Sequence, residues 1–219
     1  MTTILLIRHA ENEYVAKGRL AGRLAGVNLN EKGRQQAQAL AEALAKAPLK
    51  AIYASPLERC QQTAAPLAMA QDLEVQLREG LLEVDFGEWQ DQTLKQLRRR
   101  KLWRVVQANP ARMRFPGGET FAQAQLRIVQ DLEALNQQHD PKDLIACFSH
   151  SDLIKLALSY YLGQPLDLFQ RIQIAPASVS ALHLGEMGAM VLSINHGVQL
   201  HWPEQKPKEA NKESKAKDV

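Results

Sequence analysis

Two short apolar runs, each followed by a histidine, constrain the fold of this chain more than any other feature. Residues 4–7 lead into Arg8-His9, and residues 144–148 lead, one residue later, into His150. Both runs have the length and composition of buried strands. Because ligands of open α/β sheets collect outside the carboxyl ends of the strands, two imidazoles at such ends could contact one bound group. The pattern therefore predicts a shared cleft and favours an enzyme.

Composition limits the class of protein and its partners. The 219 residues suffice for one well-buried α/β domain, and 45% apolar with 23% charged residues is typical of a soluble globular protein. A net charge of +3 is too small to indicate a nucleic-acid partner, whereas small anions remain suitable ligands. No run approaches the roughly 20 residues of a membrane helix, and the N-terminal run is too short for a signal sequence.

The small number of cysteines indicates a reducing compartment. Cys60 and Cys147 are the two cysteines of the chain, and their number and spacing indicate neither a disulfide framework nor a metal cage. We therefore expect a cytoplasmic protein with no membrane partner, and the sequence leaves its oligomeric state open.

Strand-like runs alternate with helical patterns, which predicts an α/β fold: a three-layer α/β/α sandwich around a mostly parallel sheet. The predicted strands are residues 3–7, 51–54, 73–77 and 144–148, with a terminal antiparallel pair at 179–184 and 191–195. Asn30 is typical of a helix cap, and Ser55-Pro56 predicts a serine cap with proline at the first helical position, opening a helix that ends near Ala68. Residues 119–136 predict a long amphipathic helix.

Two segments differ from the rest of the chain. Residues 91–107 have helical character and include a basic cluster at residues 98–101, and Pro110 is expected to end that helix. We treat residues 91–116 as a variable lid or insert. From Pro203 to the C-terminus the sequence has almost nothing to bury, which predicts a disordered polar tail after a single domain at residues 1–202.

Six short motifs occur in a fixed order along the chain. They are Arg8-His9, Leu29-Asn30-Glu31-Lys32-Gly33, Ser55-Pro56-Leu57-Glu58-Arg59, Leu82-Glu83 with Phe86-Gly87-Glu88-Trp89, Pro116-Gly117-Gly118-Glu119 and Ser149-His150. In this order they resemble the histidine phosphatase superfamily, also called phosphoglycerate-mutase-like, and its small phosphatase branch. The resemblance implies a phosphoglycerate-mutase-like fold over about residues 4–184 and a small phosphorylated metabolite as substrate.

The resemblance also implies roles for five residues. His9 is similar to the family's nucleophile, which forms a phosphohistidine. The charge on the phosphoryl oxygens needs several fixed cationic donors during transfer, and these would be Arg8, Arg59 and His150. Glu83 matches the acid that protonates the leaving alkoxide, a role that requires a raised pKa. With side chains supplying the charge, the implied reaction needs no metal and no cofactor.

Four positions depart from the family pattern. Ala10 replaces a usual glycine, Asn12 stands at a hydroxyl position, Val15 replaces a usual asparagine, and Ser151 follows His150 where glycine is common. Asn12 can still donate an amide hydrogen bond to phosphate, whereas Val15 cannot. A backbone N–H at the helix start around Ser151 could still point at an anion. Arg23, in the glycine-rich loop, is a further, weaker candidate for substrate binding.

Several residues have an ordinary structural interpretation beside the functional one. Thr63 is expected to pack against the sheet and Trp89 to act as a hydrophobic anchor. The cluster at 98–101 either contacts the distal end of an anionic substrate, with Arg104, Arg112 and Arg114 as further candidates, or forms a solvated helix face.

Two other functions compete with a metal-independent phosphatase that acts through a phosphohistidine. A phosphoglycerate-type phosphomutase would shield the phosphohistidine under a lid, which residues 91–115 would have to supply. A non-catalytic module would keep the pocket to bind a phosphorylated ligand. Retention of Arg8, His9, Arg59, Glu83 and His150 favours the enzyme.

Overall fold

A six-stranded sheet runs through the computed structural model of the chain, which describes residues 2–197. The strands are β1 (Thr2–Arg8), β2 (Leu49–Ala54), β3 (Val75–Leu77), β4 (Leu144–Ser149), β5 (Val179–Gly185) and β6 (Gly188–His196). Their spatial order is β3-β2-β4-β1-β5-β6. The first four strands are parallel, β5 is antiparallel to β1, and β6 is antiparallel to β5. The predicted mostly parallel sheet is therefore confirmed. The predicted tail lies outside the described residues.

Helices cover both faces of this sheet. They are α1 (Glu13–Ala16), α2 (Glu31–Leu44), α3 (Glu58–Gln71), α4 (Leu94–Leu97), α5 (Trp103–Ala108), α6 (Phe121–Gln138) and α7 (Ser151–Tyr161). Alternate residues of β1 enter two separate cores: Ile4 and Leu6 pack on the side of α6 and α7, and Leu5 and Ile7 on the side of α2 and α3. These two cores confirm the three-layer sandwich.

Two predicted helices differ in the structure. Ser55 does not cap a helix, because its buried hydroxyl hydrogen-bonds to His150 and α3 begins at Glu58 after Leu57. The single helix predicted at residues 91–107 is instead two short ones, α4 and α5. Thr93 opens α4 with a capping box, and α4 ends where four adjacent cations begin, whose mutual repulsion disfavours a continuous helix.

The sheet order explains why the two histidines meet. β1 and β4 are parallel neighbours, with Arg8 opposite Ser149, so that His9 and His150 leave the same edge of the sheet side by side. The backbone N–H of His9 donates to the carbonyl of Ser149 at 2.9 Å, which holds the two chain segments together one residue beyond the strands.

Residues 2–197 also bear on the expectations for membrane spans and cysteines. No helix among them is long and apolar enough to cross a membrane. Cys60 and Cys147 are both buried free thiols.

Candidate active site

A pocket of about 260 Å³ opens at the carboxyl ends of β1 and β4. Its lining includes six of the residues singled out from the sequence: Arg8, His9, Asn12, Arg59, Glu83 and Ser151. A larger groove of about 780 Å³ lies between α2 and α3, and Arg34 is the sole charged residue in its lining. The groups capable of acid, base or nucleophilic chemistry therefore converge in the smaller pocket.

His9 is buried at the base of this pocket with one ring nitrogen available. Its Nδ1 lies 2.8 Å from the carbonyl oxygen of Ala10. A carbonyl only accepts hydrogen bonds, so Nδ1 carries the proton and Nε2 of the neutral ring carries a lone pair. Burial, and then the charges of Arg59 and Arg8, hold the pKa of His9 well below its ordinary value of 6.5. The ring is therefore neutral near pH 7 and able to act as a nucleophile.

Arg8, Asn12 and Arg59 present hydrogen-bond donors that have no protein partner. Arg8 donates from Nη1 to the carbonyl of Ile174 at 2.7 Å, and Arg59 donates from Nη2 to the carbonyl of Gly22 at 2.6 Å. Within the described part of the chain, Arg8 Nε, Arg59 Nε and Nη1, and Asn12 Nδ2 are buried without partners. A buried unpartnered donor costs about 1–3 kcal/mol, so a group of them at one pocket points to an oxyanion as ligand.

Asn12 is oriented by a local hydrogen bond. Its Oδ1 accepts from the backbone N–H of Val15 at 2.9 Å and caps α1, which leaves the Nδ2 amide for the pocket. This orientation is consistent with the expected amide donor. Val15 itself lines the pocket with methyl groups, and Ala10 fits a small buried apolar cluster with Leu29 and Ala37.

His150 lies behind His9, and its surroundings favour the neutral form of its ring. The two ring centroids are 5.3 Å apart, and His150 is fully buried outside the pocket lining. Its Nδ1 accepts from Arg59 Nη2 at 3.3 Å, so its Nε2–H donates to Ser55 Oγ at 2.9 Å. Burial, and then Arg59 and His9, hold its pKa well below 6.5. This shift favours the neutral ring of His150, and its role as a cationic donor stays a prediction.

Glu83 has the electrostatic property that an acid catalyst needs. The residue is 9% exposed and lines the pocket, and its carboxylate Oε1 accepts from the N–H of Val84 at 2.9 Å. Burial, followed by the charge of Asp152, raises its pKa to about 7, and Arg59 and Arg8 oppose this rise. A large fraction of the enzyme therefore carries a protonated Glu83 near neutral pH.

Ser55 and Thr63 are two site residues that the sequence interpretation missed. Thr63 Oγ1 accepts from the N–H of Ala10 at 3.0 Å and donates to the carbonyl of Arg59 at 2.6 Å, so it joins the nucleophile segment to α3. Ser55 orients His150. Ser55 also follows β2, the neighbour of β4 in the sheet, and the strand-end argument applied to β2 would have found it.

The mouth of the pocket contains a polar cluster that was also missed. Tyr14 and Arg19 line the pocket, and both bind the Asp91 carboxylate: the tyrosine O–H at 2.9 Å and Arg19 Nη2 at 2.6 Å. Asp91 has a left-handed backbone with φ of 60°. Leu20 and Leu94 add an apolar wall beside this cluster.

The remaining candidates lie away from the pocket. Arg23 is absent from the lining, and its guanidinium binds the carbonyl of Glu83 and the carboxylate of Glu119 instead. All of the other basic candidates are exposed and none lines the pocket: Arg98, Arg99, Arg100, Lys101, Arg104, Arg112 and Arg114. The solvated-face interpretation fits these exposures. Trp89 is 1% exposed and packs against Phe115, which confirms the hydrophobic anchor.

Two further kinds of reactive site would be a cysteine nucleophile and a metal centre. Cys60 Sγ lies 3.4 Å from His150 Nε2, and burial raises the pKa of its thiol to about 12, so the thiol is protonated and not a nucleophile. Across residues 2–197, no three histidine, cysteine, aspartate or glutamate side chains are grouped so that they could hold a metal ion.

Known proteins share both the sequence pattern and the fold. The pattern of the histidine phosphatase superfamily (branch 1) matches residues 4–197. The chain is 31% identical over 197 residues to phosphoserine phosphatase 1 of Hydrogenobacter thermophilus, covering 89% of this chain and 92% of the relative.

Two solved structures are similar at comparable coverage. Phosphoserine phosphatase from Entamoeba histolytica, in complex with 3-phosphoglyceric acid, superposes with a TM-score of 0.81 and 28% identity, over 89% of this chain and 97% of that one. A mycobacterial glucosyl-3-phosphoglycerate phosphatase with bound VO3 superposes with a TM-score of 0.80 and 26% identity, over 89% and 99% of the two chains.

Proposed function

This chain belongs to the histidine phosphatase superfamily, and from that membership we propose that it hydrolyses a small phosphomonoester through a phosphohistidine on His9, without a metal ion. The observation that carries the proposal is the neutral, buried His9, whose free Nε2 shares a pocket with four unpartnered donors of Arg8, Asn12 and Arg59. A nucleophile and an oxyanion site in one pocket are the two requirements of phosphoryl transfer.

In the first step His9 Nε2 attacks phosphorus and the bond between phosphorus and the ester oxygen breaks. Glu83 gives its proton to the departing oxygen, so the alcohol leaves neutral and Glu83 becomes a carboxylate. Arg8 and Arg59 neutralise the charge on the equatorial oxygens and the Asn12 amide donates a hydrogen bond to them, with the N-terminus of α7 at Ser151 beside them.

In the second step water attacks the phosphohistidine. Glu83, now a carboxylate, takes a proton from the water, the bond between nitrogen and phosphorus breaks, and inorganic phosphate leaves. His9 returns to its neutral form and Glu83 to its acid form, which closes the cycle without a net change in the protein.

His150 takes a positioning role in this scheme. Its ring is fixed by Ser55 and accepts a hydrogen bond from Arg59 Nη2, which leaves Nε and Nη1 of Arg59 for the phosphoryl group. Because burial and the charge of Arg59 lower the pKa of His150, we assign it no charge in this scheme.

The substrate class is a small phosphorylated metabolite. The volume of about 260 Å³ suits a compact phosphomonoester. Phosphoserine is the first compound to test, because one curated relative and one solved structure that each match 89% of this chain are named for it. The proposed domain at residues 1–202 contains every group of the mechanism, and the proposed lid at 91–116 contributes Leu94 to the pocket wall.

The phosphomutase alternative is weaker because it needs a lid that shields the phosphohistidine. The basic candidates at residues 98–114 lie outside the pocket, and the guanidinium of Arg19, which lines its mouth, is paired with Asp91. The binding-module alternative does not account for an acid whose pKa is raised to about 7 beside a neutral nucleophile.

A panel of phosphomonoesters tests the proposal. Phosphoserine, 3-phosphoglycerate and 4-nitrophenyl phosphate are assayed for release of inorganic phosphate, with and without excess chelator, on the wild type and on His9→Ala. We expect turnover that is unchanged by chelator, an acid-labile phosphoenzyme in the wild type, and neither in His9→Ala. Primer-dependent isomerisation of 3-phosphoglycerate would support the mutase instead, and saturable binding with no turnover would support the binding module.

A further inference from the structure

Glu83 belongs to a loop whose carbonyl groups are bound by an arginine from a distant helix. This acid segment (residues 79–85) contains a single 3₁₀ turn at Glu79–Leu81. Arg127, on α6, donates from Nη1 to the carbonyls of Gly80 and Leu82 at 2.9 Å each. Its Nη2 lies 3.4 Å from the carbonyl of Glu83 itself.

A second arginine reaches the same carbonyl from the opposite direction in sequence. Arg23 donates from Nε to the Glu83 carbonyl at 2.8 Å. Glu119 joins the two guanidinium groups, since its Oε1 accepts from Arg23 Nη2 and Arg127 Nη2 at 2.9 Å each. The same oxygen accepts from the N–H of Asp85 at 2.8 Å, so the chain is fixed on both sides of Glu83.

These hydrogen bonds are made to backbone atoms, so they fix the position of the backbone from which the Glu83 side chain projects. The three side chains are largely shielded, with exposed fractions of 29% for Arg23, 16% for Glu119 and 23% for Arg127. A planar guanidinium that contacts several carbonyls at once defines a loop conformation more tightly than a single hydrogen bond does. Misplacement of a catalytic group by about 1 Å can cost roughly 100-fold in rate.

We propose that Arg127, together with Arg23 and Glu119, positions the acid of the reaction by fixing the backbone of residues 79–85. The inference rests on the proposed function, because it takes Glu83 as the proton donor to the leaving oxygen. Arg127 touches no substrate in this scheme and acts through Glu83.

The leaving group separates positioning of the acid from general damage. An alkyl phosphomonoester such as phosphoserine needs a proton on its departing oxygen, whereas 4-nitrophenolate leaves without one. The ratio kcat/KM reports the steps up to cleavage of the ester bond, which are the steps that need the acid. A displaced Glu83 therefore slows the alkyl ester selectively.

Arg127→Met is the main variant, and Arg34→Met is its matched control. Arg34 likewise binds a carbonyl, that of Leu29, and a carboxylate, that of Glu31, but outside the pocket. We expect Arg127→Met to lower kcat/KM for phosphoserine about 10- to 100-fold and for 4-nitrophenyl phosphate less than about threefold. Arg34→Met should leave both values unchanged.

Two more variants keep the test decisive. Arg23→Met removes one arginine, with its bonds to the Glu83 carbonyl and to Glu119, from the more exposed side of the network. It tests the inference even if Arg127→Met does not fold, and we expect the same selectivity with a smaller amplitude. In the double variant Glu83→Gln/Arg127→Met, the loss for phosphoserine should not exceed that of Glu83→Gln alone, because positioning has no effect once the acid is gone.

Three results would overturn the inference, and they are distinguishable. Equal losses for both substrates in folded Arg127→Met and Arg23→Met would show a purely structural role. A double variant that loses the product of the two single losses would show that Arg127 acts independently of Glu83. If Glu83→Gln itself shows no dependence on the leaving group, the proposed acid is wrong and the inference falls with it.

Discussion

The two sides of the pocket satisfy their polar groups in opposite ways. On the floor, formed by Arg8, His9, Asn12 and Arg59, several buried donors have no protein partner. In the acid segment, the carbonyl of Glu83 accepts from two arginines. The floor therefore keeps a group of donors for a ligand, whereas in the acid segment the protein itself binds the backbone carbonyls and, among the described side chains of that network, Nε of Arg127 alone is buried without a partner.

This difference has a cost on one side and a benefit on the other. Each unpartnered donor of the floor destabilises the free protein by about 1–3 kcal/mol, and a bound oxyanion recovers that free energy as affinity. The acid segment gains no such ligand bonds, and its network instead fixes geometry before the substrate arrives. Substitutions on the two sides should therefore differ in which substrates they affect.

Arg59→Met should give the largest effect and show the character of the floor. In the proposed mechanism the two unpartnered donors of Arg59, Nε and Nη1, bind the phosphoryl group, so loss of Arg59 should affect every substrate alike. We expect kcat/KM to fall about 1000-fold for both phosphoserine and 4-nitrophenyl phosphate. Millimolar phosphate should raise the Tm of the wild type and leave that of the variant unchanged. A loss confined to phosphoserine would contradict this division of the pocket.

Glu83→Gln should give the next largest effect and show the opposite selectivity. Without a proton donor, kcat/KM for phosphoserine should fall about 100-fold, and that for 4-nitrophenyl phosphate less than about threefold. Wild-type kcat/KM for phosphoserine should also decline as pH rises through about 7, where Glu83 loses its proton, and this decline should be absent from the variant. Glu74→Gln, an exposed carboxyl replacement, serves as the control.

The floor was predictable from the sequence for a physical reason. Parallel neighbouring strands end at one edge of a sheet, so apolar runs followed by Arg8-His9 and by His150 place those residues together without any knowledge of the loops. The family motifs then added Arg59 and Glu83. The protonation state of His150 was not predictable, because it depends on burial and on the neighbouring Arg59 and His9.

The support of the acid segment was not predictable in the same way. Arg127 lies in an amphipathic helix, where an arginine on a polar face is ordinary, and its partners are backbone carbonyls 44 to 48 positions away. Ser55 was misinterpreted because Ser-Pro is typical of a helix start, although this serine directly follows β2 and precedes α3 by three residues. Hydrogen bonds between a loop and a remote helix leave no periodic signal in the sequence.

The pH dependence of stability tests the burial of Glu83 independently of catalysis. In the folded protein the pKa of Glu83 is raised from 4.5 to about 7, so the folded state binds more protons than the unfolded state between these values. The resulting stabilisation is complete below pH 4.5 and is lost as pH rises through about 7. The shift corresponds to about 3 kcal/mol at most.

Glu83→Gln removes this titrating group, so the free energy of unfolding of the variant should depend less on pH than that of the wild type. Between about pH 5 and about pH 8.5 the wild type should lose up to about 3 kcal/mol more than the variant, as measured by urea denaturation. The contributions of the other titrating groups cancel when the two proteins are compared, because both proteins contain them. Identical pH dependence in the two proteins would show that Glu83 is as solvated as an ordinary glutamate, and its place in the pocket would need revision.

The basic cluster at residues 98–101 should give the smallest effect, which tests whether the pocket has a third functional side. The variant replaces Arg98, Arg99 and Lys101 with glutamine and keeps Arg100, which lies 6.0 Å over the ring of Trp89 and binds Gln92. Because these side chains are exposed and outside the pocket, salt at about 0.15 M screens them from a bound phosphate beyond about 8 Å.

We therefore expect kcat/KM for phosphoserine to change by less than about twofold at that ionic strength, with a modest decrease at low salt where long-range steering survives. A tenfold rise in KM at the higher salt concentration would show direct contact between the cluster and the substrate. Residues 91–116 would then form a gripping lid, and because a lid that excludes water is what a phosphomutase requires, hydrolysis would lose its advantage over transfer back to the substrate.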